Sequence, residues 1–276
     1  MSDNHLIAPL LDTAINSALA AGKFILSHLN RMVAVKFKGR ANLVTEVDRG
    51  AEQLIVSAIQ DRFPDHQILA EETPAKTSAS DYRWIIDPLD GTTNFFHGFP
   101  VFAVSIGIEY QGQPLIGVVY DPTRDELFSA VAGQGARLNN QPVQVSKTST
   151  LARSLLATGF PYEIGRHFDL NMAIFNTFYR QCQGVRRAGA AAIDLCYTAC
   201  GRFDAYWEFD LHPWDAAAGA LIVTEAGGRL SDFHGRPFSI YRRQILASNG
   251  FIHQECLTTL AEFFKREFPQ EESKIP

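Results

Sequence analysis

Basic residues do not predominate in this chain, cysteine is scarce, and no apolar run is long. Its 25 Lys and Arg against 30 Asp and Glu give a formal net charge of -5. That balance argues against general nucleic-acid affinity through a basic surface. The longest basic runs, such as Arg186-Arg187 and Arg242-Arg243, are pairs, and such pairs are expected on solvated faces. No window is long and apolar enough to span a bilayer. The first residues, MSDNHLIAPLLDTAINSALA, lack a basic segment ahead of an apolar one, so a secretory leader is not expected. Cys182, Cys196, Cys200 and Cys256 all stand in apolar surroundings. Cys196 and Cys200, one helical turn apart, are too few ligands for zinc. Reduced core thiols in a cytosolic protein are the expectation.

What is present is an ordinary globular composition of 276 residues, 46% apolar and 20% charged, long enough for a substantial core. Leu6, Leu10, Ala14 and Ala18 mark a first helix with one buried face. A second should start near Asp48, with that residue as its cap, and end at Pro64. Gln67 to Glu71 and Arg83 to Asp87 read as strands around a polar loop, Thr73 to Asp81. "AVSIGIEY" and "LIGVVYD" flank Gln111-Gly112-Gln113 as a hairpin, and "DELFSAV" and "ARLNNQPV" extend it into a meander. The second half alternates: strand "SLLATG", helix Phe168 to Cys182, helix Ala190 to Cys200, strand "DAYWEF", helix Asp215 to Ala226 stopped by Gly227-Gly228, strands "RLSDF" and "QILAS", and a terminal helix. A layered α/β architecture follows, read as a single domain over 1-276. Sub-regions of about 1-150 and 151-276 meet near 145–155 without a flexible boundary, and a charged tail follows Pro269.

The chemistry concentrates in acids at element ends: Asp48, Glu71, Glu72, Asp87, Asp90 and Asp215. Taken singly, each could be a cap or a turn residue. "WIIDPLDGTTNF" (84–95) weighs against that reading, because an apolar strand runs straight into two aspartates. Pro88 holds Asp87 extended, Gly91 permits a tight approach, and Thr92-Thr93-Asn94 resembles a helix start whose free amides suit an anion. Two carboxylates about 4 Å apart repel by roughly 4 kcal/mol at an effective dielectric near 20, and a divalent cation between them reverses the sign. Oxygen ligands favour Mg²⁺, Mn²⁺ or Ca²⁺ over zinc. No Walker A spacing occurs, the acids are not spaced as D-x-D, and Leu89 stands where an EF-hand loop needs an oxygen side chain.

"NLVTEVD" (42–48), "AEE" (70–72), "DPLDGTTNF" (87–95) and "WDAAAGALIVTEAGG" (214–228) resemble the motifs of the inositol monophosphatase family, within the Mg²⁺-dependent, lithium-sensitive phosphatases. The resemblance covers nearly the whole chain and implies an αβαβα five-layer sandwich. It implies that Glu71, Asp87 and the Leu89 carbonyl hold one metal, that Asp87, Asp90 and Asp215 hold a second, and that Glu71 helps hold a weaker third. Mn²⁺ is a possible substitute for Mg²⁺. Thr92 with Asp48 would orient the attacking water, with Glu71 also counted as catalytic. Amides of Gly91, Thr92 and Thr93 would hold phosphate. Asp90, Gly189, Ala190, Ala191, Glu208 and Asp215 would contact substrate hydroxyls.

The activity implied is hydrolysis of myo-inositol 1-phosphate, or a similar polyol phosphate, by direct in-line attack of metal-activated water. Fructose 1,6-bisphosphate, histidinol phosphate, a nucleotide 3′-phosphate or NADP are alternative substrates, to be decided by the region from Tyr162 to Glu208. A macromolecule-binding protein that retains the fold is the alternative of another class. A cytoplasmic homodimer without membrane or nucleic-acid partners is the implied setting. The chain departs from the family pattern at Asn42, where Asp is usual, at Lys36 and Lys38, which compete for one lysine position, and at Ala190, where Ser or Thr is common. His97 and His212 are expected to have no catalytic part, and Trp84 and Trp214 to buttress the site.

Overall fold

The computed structural model describes residues 4–31, 35–37 and 43–267. Lys38, Asn42 and the tail after Pro269 lie outside the described residues. In chain order the first elements are α1 (Asn4–His28), β1 (Val35–Phe37), β2 (Leu43–Thr45), α2 (Glu46–Arg62), β3 (Gln67–Ala70), β4 (Tyr82–Asp90) and α3 (Thr92–Phe96). The meander follows as β5 (Ala103–Tyr110), β6 (Gln113–Asp121), β7 (Glu126–Val131), β8 (Ala136–Leu138) and β9 (Gln141–Val143). The second half holds β10 (Leu155–Thr158), α4 (Arg166–Tyr179), β11 (Gly184–Arg186), α5 (Ala191–Ala199), β12 (Ala205–Phe209), α6 (Pro213–Glu225), β13 (Arg229–Ser231), β14 (Gln244–Ser248) and α7 (His253–Glu267).

Seven strands form one sheet in the order β3-β4-β5-β6-β7-β8-β9. Only β3 and β4 run parallel. Gln111 and Gly112 both have positive φ, 51° and 73°, as a two-residue hairpin turn with the twist of its strands requires. A second sheet has the order β11-β10-β12-β14-β13, with β10 parallel to both neighbours and β14 antiparallel to both of its own.

The helices make the remaining three layers. Leu10, Ala14, Ala18, Ala21 and Ile25 of α1, with Val47, Ala51, Ile55 and Ile59 of α2, bury a stripe at helical spacing against Trp84, Ile86, Phe102, Val104 and Val118. From the opposite face of that sheet, Ala103, Val119 and Phe128 pack on α5 and α6, which also meet Tyr206, Ile245 and Ala247 of the second sheet. Beyond it, Trp207, Phe209 and Leu246 pack against α4 and α7. Successive strand residues point to opposite faces, so Tyr206 enters the middle layer and Trp207 the outer one. The αβαβα sandwich is thus present as the motifs implied.

The middle layer is held close by small residues. Gly107 of β5 pairs with Gly117 of β6. A Cβ at Gly107 would lie 2.7 Å from the Cβ of Ala217, and one at Gly117 2.6 Å from the carbonyl oxygen of Ala218. The alanines of α6 therefore rest almost on the sheet backbone, and the helix start is carried to the end of β4. Segment 144–150, between the halves, is pinned: Val145 N donates to Ala226 O, and Asn249 Nδ2 donates to Thr148 O.

Several boundaries differ from expectation. Helix α2 begins at Glu46, two residues before Asp48, because Thr45 is the cap: its Oγ1 accepts Val47 N at 3.1 Å. Asp48 instead reaches back from the third helical position, its Oδ2 accepting Thr45 N at 2.8 Å. Helix α6 starts two residues early with Pro213 in its first turn, where the missing amide hydrogen is harmless, and α4 ends at Tyr179, before Cys182. Strands β1, β2 and β11 were not anticipated; each has three residues, too few to show alternation.

Candidate active site

The site starts with an irregularity in β4. Asp87 pairs with Ser105 and Asp90 with Ala103. Three residues on β4 therefore oppose two on β5, a bulge at a strand where Pro88 donates no ladder hydrogen bond. Residues three apart in a regular strand face opposite ways. The extra residue turns Asp87 and Asp90 to one side, the side of α5 and α6. Ser105 on that face donates to the carbonyl of Trp214 at 3.3 Å, beside Asp215. Glu71 follows β3 and donates its amide to Ile86 O of β4 at 3.2 Å.

These acids surround a cavity of about 580 Å³. Glu71, Asp87, Leu89, Asp90, Gly91, Thr92, Gly189, Ala190, Ala191, Glu208 and Asp215 all line it, so eleven of the thirteen residues expected at a site meet there. Asp48 does not line it, but lies buried directly beneath, its Oδ1 accepting from Thr92 Oγ1 at 2.7 Å. Thr93 is not on the wall. Gly91 has φ 91°, and a Cβ on it would come within 2.9 Å of Val101 O, so only glycine lets the chain turn from β4 into α3. That helix is one turn long, and its first amides have no partner inside it.

Charge is the dominant feature. Asp87 is 2% exposed; burial, then Glu71, Asp90 and Asp215, push its carboxyl well above the ordinary range. Burial raises Asp90 to about 7 against the opposing amides of Ala192 and Ala191, with Glu208 and Glu71 adding to the rise. Asp215 is raised well above its ordinary value by burial, with Asp90 and Glu208 contributing. Burial also takes Glu208 to about 7, although Tyr206 Oη donates to its Oε2. Asp90, Asp215 and Glu208 keep some surface open to the cavity but lie deep below the outer surface.

Among the described residues, no three His, Cys, Asp or Glu side chains are gathered closely enough to hold an ion as they stand. Instead three of the aspartates rest on nearby amides: Asp87 Oδ1 on Leu89 N at 3.0 Å, Asp90 Oδ2 on Ala192 N at 2.7 Å, Asp215 Oδ2 on His212 N at 2.6 Å. The donor set nevertheless fits a hard divalent cation: four carboxylates and a backbone carbonyl, all oxygen, with raised protonation that a cation would relieve.

Other wall residues were not anticipated. Each basic pair divides: Arg187 and Arg243 line the cavity, whereas Arg242 pairs with Asp232 at 3.6 Å. Asp194 of α5 also lines the cavity, 1% exposed, with neither carboxyl oxygen hydrogen-bonded among the described residues. Burial, then Glu208 and Asp90, push it well above the ordinary carboxylate range. An acid within the apolar run "AAIDLCYTA" was the available signal. Trp214 lines the cavity, stacked on His212 at 4.8 Å between ring centroids. Trp84 is buried in the α1/α2 layer, donating to His66 Nδ1 at 3.0 Å, and His97 closes α3 away from the wall. All four cysteines are free thiols, and no helix among the described residues is long and apolar enough to cross a membrane.

A family model described as the inositol monophosphatase family matches residues 6–266. An inositol-1-monophosphatase from Synechocystis sp. is 49% identical over 253 residues, 91% of this chain and 88% of that protein. A Nus factor SuhB from Pseudomonas aeruginosa is 45% identical over 259 residues, 91% of this chain and 96% of the relative. The solved structure of an inositol monophosphatase from Anabaena (Nostoc) sp. superposes with a TM-score of 0.82 at 42% identity, covering 92% of this chain and 96% of the other.

Proposed function

The chain belongs to the inositol monophosphatase family, and on that premise we propose that it is a Mg²⁺-dependent phosphomonoesterase acting on myo-inositol 1-phosphate or a similar polyol phosphate. One observation carries the reading. Glu71, Asp87 and Asp90 from one sheet and Asp215 from the middle layer converge on a single cavity, directly above the Asp48–Thr92 pair.

Glu71, Asp87, the Leu89 carbonyl, Asp90 and Asp215 would hold two or three Mg²⁺, with Mn²⁺ as a substitute. When bound, the ions supply Lewis acidity to the phosphate and to a water molecule. The remaining tasks fall to the chain. Thr92 Oγ1 gives its hydrogen to Asp48 Oδ1, which leaves its lone pairs for a hydrogen of the attacking water. The water is thereby fixed on the face of phosphorus opposite the leaving oxygen, and a proton shed there has the Thr92–Asp48 hydrogen bond as its path. Amides at the start of α3 receive phosphate oxygens. Glu208, held by Tyr206, and the 189–191 backbone accept and orient substrate hydroxyls. Positioning and neutralisation of charge are most of what phosphoryl transfer demands.

Lithium inhibition, a homodimer and a cytoplasmic setting belong to the same proposal, as does the reading of both halves as one domain. A second reading is favoured by the Nus factor name of the 45%-identical relative: a macromolecule-contacting role with the site retained. The test is phosphate release from myo-inositol 1-phosphate, fructose 1,6-bisphosphate, histidinol phosphate, a nucleotide 3′-phosphate and NADP, each with Mg²⁺ and Li⁺ titrations. Mg²⁺-dependent, Li⁺-inhibited release that is fastest on the inositol ester supports the proposal. A folded protein inert on every ester rejects it and favours the second reading.

A further inference from the structure

The cavity has two sides that come from different parts of the chain, and one side chain joins them. Asn94 lies on α3, beside the amides assigned to phosphate. Its Nδ2 donates to Val101 O at 2.7 Å, to Ala188 O at 2.9 Å and to Gly189 O at 3.3 Å. All three partners are carbonyls, so the amide nitrogen must face them and the orientation of the side chain is fixed. The loop it grips, 187–191, supplies Arg187, Gly189, Ala190 and Ala191 to the wall and leads into α5. Just beyond the loop, Asp90 holds the start of α5 through Ala192 N. Gly189 has φ 90°, and a Cβ there would stand 3.2 Å from Asn94 Nδ2 and 2.4 Å from Arg187 Nη1. The loop closes on Asn94 only because residue 189 has no side chain.

From this clasp we infer that Asn94 is a positioning residue for substrate discrimination: it fixes the polyol-facing loop relative to the phosphate-facing turn. The inference rests on the phosphatase reading above. A substrate whose hydroxyls meet the loop depends on the clasp. An aryl phosphate without such hydroxyls depends only on the metal and phosphate side.

The test uses Asn94→Ala in the full chain with Mg²⁺, with two readouts. Amide hydrogen exchange over 187–193 should rise at least about ten-fold, as expected for loss of two hydrogen bonds, with α2 and β5 unchanged. The kcat/KM on myo-inositol 1-phosphate should fall at least about ten-fold, while that on 4-nitrophenyl phosphate changes less than about three-fold. Gly189→Ala, aimed at the same contact, should raise exchange over 187–193 as Asn94→Ala does, and the double variant should add little to either single rise in exchange. Unchanged exchange in Asn94→Ala overturns the inference, as does an equal loss on both esters. A wild-type chain inactive on both esters removes the functional reading instead, and exchange alone then decides the clasp.

Discussion

Asp87 is the residue on which the acids converge, because its ionisation is opposed by burial and by three neighbours. Asp87→Asn removes a shared ligand and one charge without changing shape. Turnover is expected to fall by at least about a thousand-fold. Without metal, the unfolding temperature of the variant should rise by a few degrees, on the order expected from 1 kcal/mol. Turnover close to wild type at saturating Mg²⁺ contradicts the assignment. Asp194 offers a separate test, since its buried carboxyl has no hydrogen-bond partner among the described residues. Burial makes this carboxyl bind its proton more tightly in the fold than in the unfolded chain, so near neutral pH folding carries the cost of burying the charge or of taking up a proton. Asp194→Asn avoids that cost and should stabilise the protein by on the order of 1–2 kcal/mol in urea titrations at pH 7. The gain should shrink toward pH 4, where the unfolded carboxyl is itself protonated.

At the level of elements, the site depends on where helices start. Thr45 Oγ1 caps α2 by accepting from Val47 N and also donates to Asp48 Oδ2 at 2.5 Å, while the other carboxylate oxygen, Oδ1, takes the Thr92 hydrogen. Thr45→Ala should cost about 1 kcal/mol of stability and lower kcat more than it changes KM, because Asp48 loses its fixed orientation. Thr45→Ser should restore both. Helix α6 carries Asp215 to the cavity because Gly107 and Gly117 let it lie on the sheet. Gly107→Ala should destabilise by about 1–3 kcal/mol through overpacking and weaken Mg²⁺ binding in calorimetric titrations. An unaltered Mg²⁺ affinity would show that the position of α6 does not govern the site.

Helix stripes and strand alternation were legible in the sequence wherever an element was long enough to show its period, as in α1, α2 and the β5–β6 hairpin. The three-residue strands β1, β2 and β11 were not. The start of α2 was misplaced because Thr45 and Asp48 both suit a cap, and only the reciprocal hydrogen bonds decide between them. The acids were legible because charge at the end of an apolar strand is anomalous by itself. The cationic side was not: Arg187 and Arg243 look like solvated residues until the fold turns one member of each pair inward.

For the whole molecule, the crowded acids set how stability responds to pH. Asp90 and Glu208 are raised to about 7, so the fold binds their protons more tightly than the unfolded chain does. Their contribution is fully present below the ordinary carboxylate range and is lost as pH rises through 7. His253 acts in the opposite direction, held down to about 4 by burial, but its contribution is constant above its unfolded value near 6.5. One imidazole offsets only one of the two carboxyls, so scanning calorimetry of the metal-free protein should show the unfolding temperature falling as pH rises from about 4.5 to 7 and levelling off above 7. Saturating Mg²⁺ should remove the Asp90 share of that fall.

The central claim is that divalent cations unite carboxylates which otherwise repel. Anomalous scattering from crystals grown with Mn²⁺ tests it most directly. The prediction is at least one strong peak bounded by oxygens of Glu71, Asp87, Asp90 and Asp215, with the three aspartates turned from their amides toward it. A map without a peak there, in crystals saturated with Mn²⁺ and with Asp87, Asp90 and Asp215 still on their amides, would contradict it.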